Sequence, residues 1–243
     1  MASTLPFPAK PASAEAAVIG LLLSGGLDSA ILLHQLLDQG WRVQPFYVRS
    51  GCVWQPYEQR AVSELLAALA QPKLARLVEL DMPVDDLYAG HWSMTGQAVP
   101  DNRSPDDAVF LPGRNPLLLL KPALWCVMHG ISGLALATLA ANPFDDATPE
   151  FFARFEAMIA QATGYPFRVV RPFETLSKRC VMKLGQGMPL ELTFSCLAPV
   201  GGLHCGRCNK CAERAAAFAQ WNEADPTHYA AEVATCTTGE KAG

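Results

Sequence analysis

Apolar positions along the chain fall into two alternating patterns. Short, nearly continuous apolar runs occupy residues 16–23, 41–48, 74–80, 133–139 and 168–173. Runs of this length, apolar on both sides, predict buried parallel strands. Between them, apolar residues recur at helical spacing. Residues 30–39 carry Ile31, Leu32, Leu33, Leu36 and Leu37, with Gly40 as a stop. The same period predicts helices over 57–70, 115–129, 148–161, 177–187 and 209–221. Thr148 followed by Pro149 and Glu150 reads as an N-cap and a first turn. Strand and helix alternate, which predicts an α/β domain: a Rossmann-like parallel sheet with helices on both faces. Residues 81–112 carry no clear period and read as irregular.

Composition narrows the class. Half of the 243 residues are hydrophobic, enough for one large core with a small appendage. The net charge of -4 and pI of 5.7 lean against nucleic acid as the main partner. No run of 18 apolar residues occurs, so no membrane span is expected. Residues 1–15 hold three prolines and lack the apolar middle of a signal peptide. They read as a flexible arm, and a cytoplasmic location is expected. The domain proper is expected over 16–190, a cysteine-rich segment with its helix over 191–222, and a tail over 223–243 that frays after residue 235.

The strongest local signal is Ser24-Gly25-Gly26-Leu27-Asp28-Ser29, preceded by Leu23 at the end of the first strand and running into the first helix. Two glycines permit a tight turn and close approach of the backbone to a ligand. Backbone N–H groups and the helix N-terminus then face an anion, and Ser24 and Ser29 add hydroxyls. A bare carboxylate would repel a phosphate, so Asp28 reads as a cap or a partner for Mg2+. No Gly-Lys-Ser/Thr follows, so this is not a Walker A loop.

Four of the eight cysteines, Cys196, Cys205, Cys208 and Cys211, share the spacing C-x8-C-x2-C-x2-C. Four thiolates close a tetrahedral Zn2+ site with no open position, a structural centre. An iron–sulfur cluster is the rival, but the cysteine–proline continuation of ferredoxins is missing. His204 reads as a bystander beside the ligands.

The phosphate loop resembles the signature of the PP-loop pyrophosphatases, of the adenine nucleotide α-hydrolase type. Two further elements sharpen the resemblance. Phe110-Leu111-Pro112-Gly113-Arg114-Asn115 precedes a long helix. Thr193-Phe194-Ser195-Cys196 is followed by His204-Cys205-Gly206-x-Cys208-x-x-Cys211-x-x-Arg214. Together the three resemble the 7-cyano-7-deazaguanine synthase family over most of the chain. The resemblance implies ATP as co-substrate with Mg2+, a small-molecule carboxylate (7-carboxy-7-deazaguanine in the family) and ammonia as partners, and AMP and pyrophosphate as products. It implies nucleotide binding by Leu23, Ser24, Gly25, Gly26, Leu27, Asp28, Ser29, Asn115 and Lys178. It assigns catalytic roles to Asp28, Ser29, Arg114 and Asp146. No nucleic acid, no membrane and a possible homodimer complete the expectation.

The chain departs from the family pattern at Tyr47-Val48-Arg49-Ser50-Gly51 and at Ala141-Asn142-Pro143-Phe144-Asp145-Asp146-Ala147-Thr148, where only Asp146 stays in register. Both stretches follow predicted strands, where open α/β sheets bind ligands. ATP use is therefore expected to persist while the acceptor stays open. A tRNA-thiolating enzyme, with Cys52 or Cys180 as the reactive thiol, and a non-catalytic nucleotide-binding module are the other function classes. Arg114 and Asn115 read as phosphate contacts or as a surface turn. Lys178 and Arg179 read as pyrophosphate partners or a solvated face, and Asp145 and Asp146 as magnesium ligands or a plain loop. Trp54, Tyr57 and Trp92 read as stacking platforms or packing, and His34 as a packing or surface residue.

Overall fold

The computed structural model describes residues 17–233. The expected arm at 1–15 and the fraying after 235 lie outside them.

Five parallel strands form one sheet: β1 (Val18–Leu22), β2 (Arg42–Arg49), β3 (Val78–Asp81), β4 (Gly133–Ala135) and β5 (Arg168–Val170), in the order β3-β2-β1-β4-β5. The helices are α1 (Leu27–Asp38), α2 (Gln55–Ala68), two single turns α3 (Asp85–Tyr88) and α4 (Trp92–Thr95), α5 (Arg114–Met128), α6 (Pro149–Thr163), α7 (Lys178–Leu184) and α8 (Asn209–Trp221). The predicted α/β class holds, and the expected irregular stretch contains only short turns.

Strand alternation sorts the two faces. Ile19, Leu21, Val43 and Ala135 face a core completed by α1, α2, α7 and α8, with Leu32, Leu36, Val62, Val181 and Phe218 all buried. Phe46, Leu134 and Val169 face a second core under α5 and α6, with Leu119, Ala123, Phe152 and Ile159. Gly20 is needed at this second face. A Cβ there would lie 2.7 Å from the Cys126 sulfur, so its absence lets α5 pack close on β1.

β3 is shorter than the predicted 74–80 for a backbone reason. Leu74 bridges Val43 and Val78 pairs with Phe46, but between them stands Pro45, which has no N–H to offer β3. The Gln44 side-chain amide donates to the Arg76 carbonyl at 2.8 Å instead, and the ladder resumes beyond the gap. α1 starts earlier than predicted because Asp28 and Ser29 already belong to its first turn. Thr148 caps α6 as expected, its hydroxyl accepting from the Phe151 amide at 3.2 Å.

The tail turns back on the cysteine segment. Tyr229 bridges His204, and the Ala230 amide donates to the His204 carbonyl at 2.8 Å. No helix among the described residues is long and apolar enough to cross a membrane.

Candidate active site

The chain order reverses between β1 and β4, and a crevice opens there at the C-terminal edge of the sheet, the usual ligand position in such folds. It spans about 1290 Å³ of space open to solvent, and its walls come from the loop after β1, the end of β4, the start of α5 and the start of α8. A second cavity of about 610 Å³ adjoins it between the ends of β1 and β2. Ser24, Glu58, Leu111 and Arg114 line both.

The loop after β1 is built as a cradle. Gly25 adopts φ +78, and a Cβ there would press on the Glu58 carbonyl at 3.1 Å, so glycine serves both the turn and the close packing of α2. Ser24 and Ser29 hydroxyls lie 3.1 Å apart, and Ser29 Oγ donates to the Gly26 carbonyl at 3.1 Å. Among the described residues no side chain caps the first amides of α1, which leaves them able to receive an anion. The Phe194 amide donates to the Gly25 carbonyl at 2.8 Å, tying the cysteine segment to the loop.

Lys178, at the start of α7, sits with Nζ 2.8 Å from both Asp28 carboxylate oxygens and 3.7 Å from Glu213. Burial disfavours its ammonium, yet Asp28 and Glu213 outweigh this and hold its pKa above the ordinary value. Burial raises Glu213 likewise, and Lys210 and Lys178 outweigh it and keep the carboxyl ionised below its usual range. The predicted Lys178 therefore meets the phosphate loop, whereas Arg179 is exposed and lines neither cavity.

Arg114 follows Gly113, whose φ of +75 turns the chain into α5. Arg114 lines both cavities, and its guanidinium makes no hydrogen bond or ion pair with another described residue. Asp146 contacts the start of the same helix. Its carboxylate accepts from the Asn115 amide at 3.1 Å and from Asn115 Nδ2 at 3.2 Å, and its carbonyl accepts from Nδ2 at 2.9 Å. That pins the start of α5; Asn115 lines the crevice and Asp146 does not. Trp54 stacks on Trp92, and Tyr57 stacks on Phe194, so these rings pack on one another. His34 pairs with Asp38 along the surface of α1.

Glu58 was not singled out by the sequence. It lies in the first turn of α2, where nothing but the position of that turn over the ends of β1 and β2 marks it. Its Oε2 accepts from the Tyr47 hydroxyl at 2.9 Å. Burial pushes its pKa up to about 7, against the opposing pull of Arg114 and Tyr47.

The four cysteines converge. Their sulfurs all lie within 4.8 Å of one another, with Cys196–Cys208 at 4.0 Å and Cys205–Cys211 at 3.8 Å. Zinc–sulfur bonds of about 2.3 Å in a tetrahedron require sulfur–sulfur edges of about 3.8 Å. Five amides donate to the sulfurs, among them Cys205 to Cys196 at 3.2 Å and Cys208 to Cys205 at 3.3 Å. Such donors stabilise thiolates, and the cluster fits zinc. His204 is not a ligand: its Nε2 accepts from the Ser195 amide at 3.1 Å, and burial and Arg214 push its pKa down to about 3. Arg214 is fully buried. It donates to Thr193 Oγ1 at 2.8 Å, the Leu190 carbonyl at 2.9 Å and Thr227 Oγ1 at 2.5 Å.

Fold and site together define a doubly wound α/β domain, with a two-glycine loop at the switch point and a four-cysteine cluster that fits zinc packed against it. Comparison with known proteins gives the family. Residues 17–222 match the family described as queuosine biosynthesis protein QueC, and the chain belongs to it. A 7-cyano-7-deazaguanine synthase of Xanthomonas oryzae is 35% identical, covering 86% of this chain and 96% of the relative. One from Stutzerimonas stutzeri is 32% identical with the same coverage. A crystal structure of a 4-thiouridine synthetase with RNA and ATP aligns with a TM-score of 0.47 and 16% identity, covering 85% of this chain and 50% of that one.

Proposed function

We propose that this chain is an ATP-dependent carbon–nitrogen ligase. It adenylates a small planar carboxylic acid, with 7-carboxy-7-deazaguanine as the leading acceptor, and reacts it with ammonia to give the amide and then the nitrile. AMP and pyrophosphate leave. The observation that carries the reading is Arg114, which has no hydrogen-bond or ion-pair partner among the described residues and lines both the phosphate-loop crevice and the smaller cavity beside it. The names of the relatives at 32–35% identity support the same product.

The chemistry follows from the groups present. A carboxylate is a poor electrophile because its leaving group would be oxide. Joining it to the α-phosphate of ATP gives a mixed anhydride whose leaving group is AMP. The uncapped amides of α1 with Ser24 and Ser29 would hold the departing pyrophosphate. Lys178 would add positive charge, and Asp28 would hold Mg2+, which supplies charge neutralisation when bound. Arg114 would bridge the α-phosphate and the acyl oxygen, where charge develops. Zinc on Cys196, Cys205, Cys208 and Cys211 would serve as a staple. The thiolation alternative loses support at Cys52, which is buried and whose thiol burial pushes up, so it stays protonated.

The test supplies 7-carboxy-7-deazaguanine, ammonia and MgATP and analyses products by mass. Amide and nitrile with stoichiometric AMP are expected. Release of ADP and phosphate would sink the adenylation reading. ATP binding without either product would move the acceptor to another acid.

A further inference from the structure

Three carboxylates line the two cavities: Asp28, Glu213 and Glu58. Two are already engaged by cations. Asp28 is clamped by Lys178, and Glu213 by Lys210 and Lys178. Glu58 has no cation within ion-pair distance among the described residues. Its one side-chain hydrogen bond is from Tyr47 to Oε2, which leaves Oε1 uncommitted at the wall where the cavities meet.

We propose that Glu58 is the proton acceptor for the nitrogen nucleophile. The inference rests on the acyl-adenylate reading above. As the ammonia lone pair forms the C–N bond, the carbonyl π pair moves to oxygen, next to Arg114. That pair then re-forms the carbonyl, and the C–O bond to phosphate breaks with its electrons leaving on AMP. The nitrogen, now cationic, loses one proton to Glu58, which returns it to solvent through the open crevice. One ammonia and one acyl-adenylate give one amide, one AMP and one proton.

The groups facing Glu58 suit this role. Tyr47 is held well above its usual pKa by burial and by Glu58, so it stays a hydroxyl donor. Cys52 stays a thiol. Tyr88, across the smaller cavity, is raised by burial and also stays protonated. Among the described residues Arg114 is the cation that acts on Glu58, and it favours the carboxylate against burial. A base is most effective when its pKa lies near the working pH, and burial brings Glu58 to about 7.

The experiment uses the full chain with MgATP and 7-carboxy-7-deazaguanine. Three rates are compared for wild type and Glu58→Gln: acid-dependent ATP–pyrophosphate exchange, amide formation at fixed free ammonia, and hydroxamate formation with hydroxylamine. Hydroxylamine is already the free base at neutral pH and needs less help. Glu58→Gln should keep exchange and hydroxamate formation within about threefold and lose ammonia-dependent turnover by about 10²–10⁴-fold. The acid limb of the wild-type profile should vanish in Glu58→Gln. In Tyr47→Phe it should move to higher pH, because the hydroxyl that favours the carboxylate is gone. An unchanged ammonia rate, or an equal loss of exchange, overturns the proposal. A raised KM for the acid with kcat unchanged makes Glu58 a substrate-edge contact instead and also overturns it. If wild type shows no exchange with any deazapurine acid, the acyl-adenylate reading itself falls, and this inference with it.

Discussion

Lys178 Nζ lies 2.8 Å from both oxygens of Asp28, joining the first turn of α7 to the phosphate loop across 150 residues of sequence. The pair is mostly shielded, with side-chain exposures of 18% and 24%. Exposed pairs contribute little, whereas breaking a buried one costs about 3–5 kcal/mol, so an intermediate loss of roughly 2 kcal/mol is expected for Lys178→Ala. Adding Asp28→Asn should recover much of it, because no charge is then left uncompensated. Urea denaturation of the four species of this double-mutant cycle measures the coupling; additive losses would mean the two groups do not act as a pair.

The parts of this site legible in sequence are those that repeat a local rule. A strand, a two-glycine turn and a helix start are contiguous, so the cradle of residues 24–29 could be read directly. The cysteines betray themselves by spacing. Lys178 was readable from its place after a predicted strand, whereas Glu58 joins the crevice only because α2 packs over the ends of β1 and β2, and nothing local encodes that. Asp146 stays in register, and nothing in the sequence signals where its carboxylate goes: it accepts from the Asn115 amide and from Asn115 Nδ2. The start of β3 failed for a comparable reason: Pro45 interrupts the partner strand, and no property of residues 74–80 themselves reveals it.

The four-cysteine cluster should be inseparable from the crevice, and it should hold zinc. α8 begins directly after Cys208, carries Cys211 in its first turn and presents Lys210 and Glu213 to the crevice. Structural zinc is worth on the order of 10 kcal/mol in apparent binding free energy. One zinc per chain is expected by metal analysis. Cys208→Ser should lose the metal, lower the unfolding midpoint and weaken nucleotide binding together. Iron with a visible charge-transfer band in the purified protein would replace zinc in this account.

Arg214 should prove structural. Its guanidinium satisfies Thr193, Leu190 and Thr227, and it lies over the Phe218 ring. Arg214→Lys cannot span these acceptors and leaves buried groups unpaired. A loss of about 3 kcal/mol is expected by denaturation, with proteolytic cleavage near residues 223–233 appearing first. Full stability in Arg214→Lys would contradict the arrangement.

Glu58 makes a stability prediction with a definite sign. Its pKa is about 7 in the fold against an ordinary 4.5, so between these values the folded state binds more protons than the unfolded one. Stability from this group is full below about pH 4.5 and is lost as pH rises through about 7. Glu58→Gln carries no such dependence. At pH 8 the variant should be the more stable protein, with the difference vanishing near pH 4.5. A pH-independent difference between the two would mean that the carboxyl is not raised.

Arg114 separates function from folding most cleanly. The guanidinium has no hydrogen bond or ion pair to lose among the described residues, and the side chain is exposed. Arg114→Ala should therefore change stability by less than about 0.5 kcal/mol, as surface substitutions do. If Arg114 neutralises charge that develops between the α-phosphate and the acyl oxygen, turnover should fall about 10²–10³-fold, with a smaller effect on the KM for ATP. Arg114→Lys should restore little, because an ammonium cannot bridge two oxygens in the planar, two-pronged manner of a guanidinium. Removing Arg114 also removes the cation that favours the Glu58 carboxylate, so the acid limb of the remaining activity should move to higher pH. Pyrophosphate release across pH, set beside urea denaturation, checks all of this. A loss of activity that tracks a loss of stability, or an unmoved acid limb, would remove Arg114 from the chemistry.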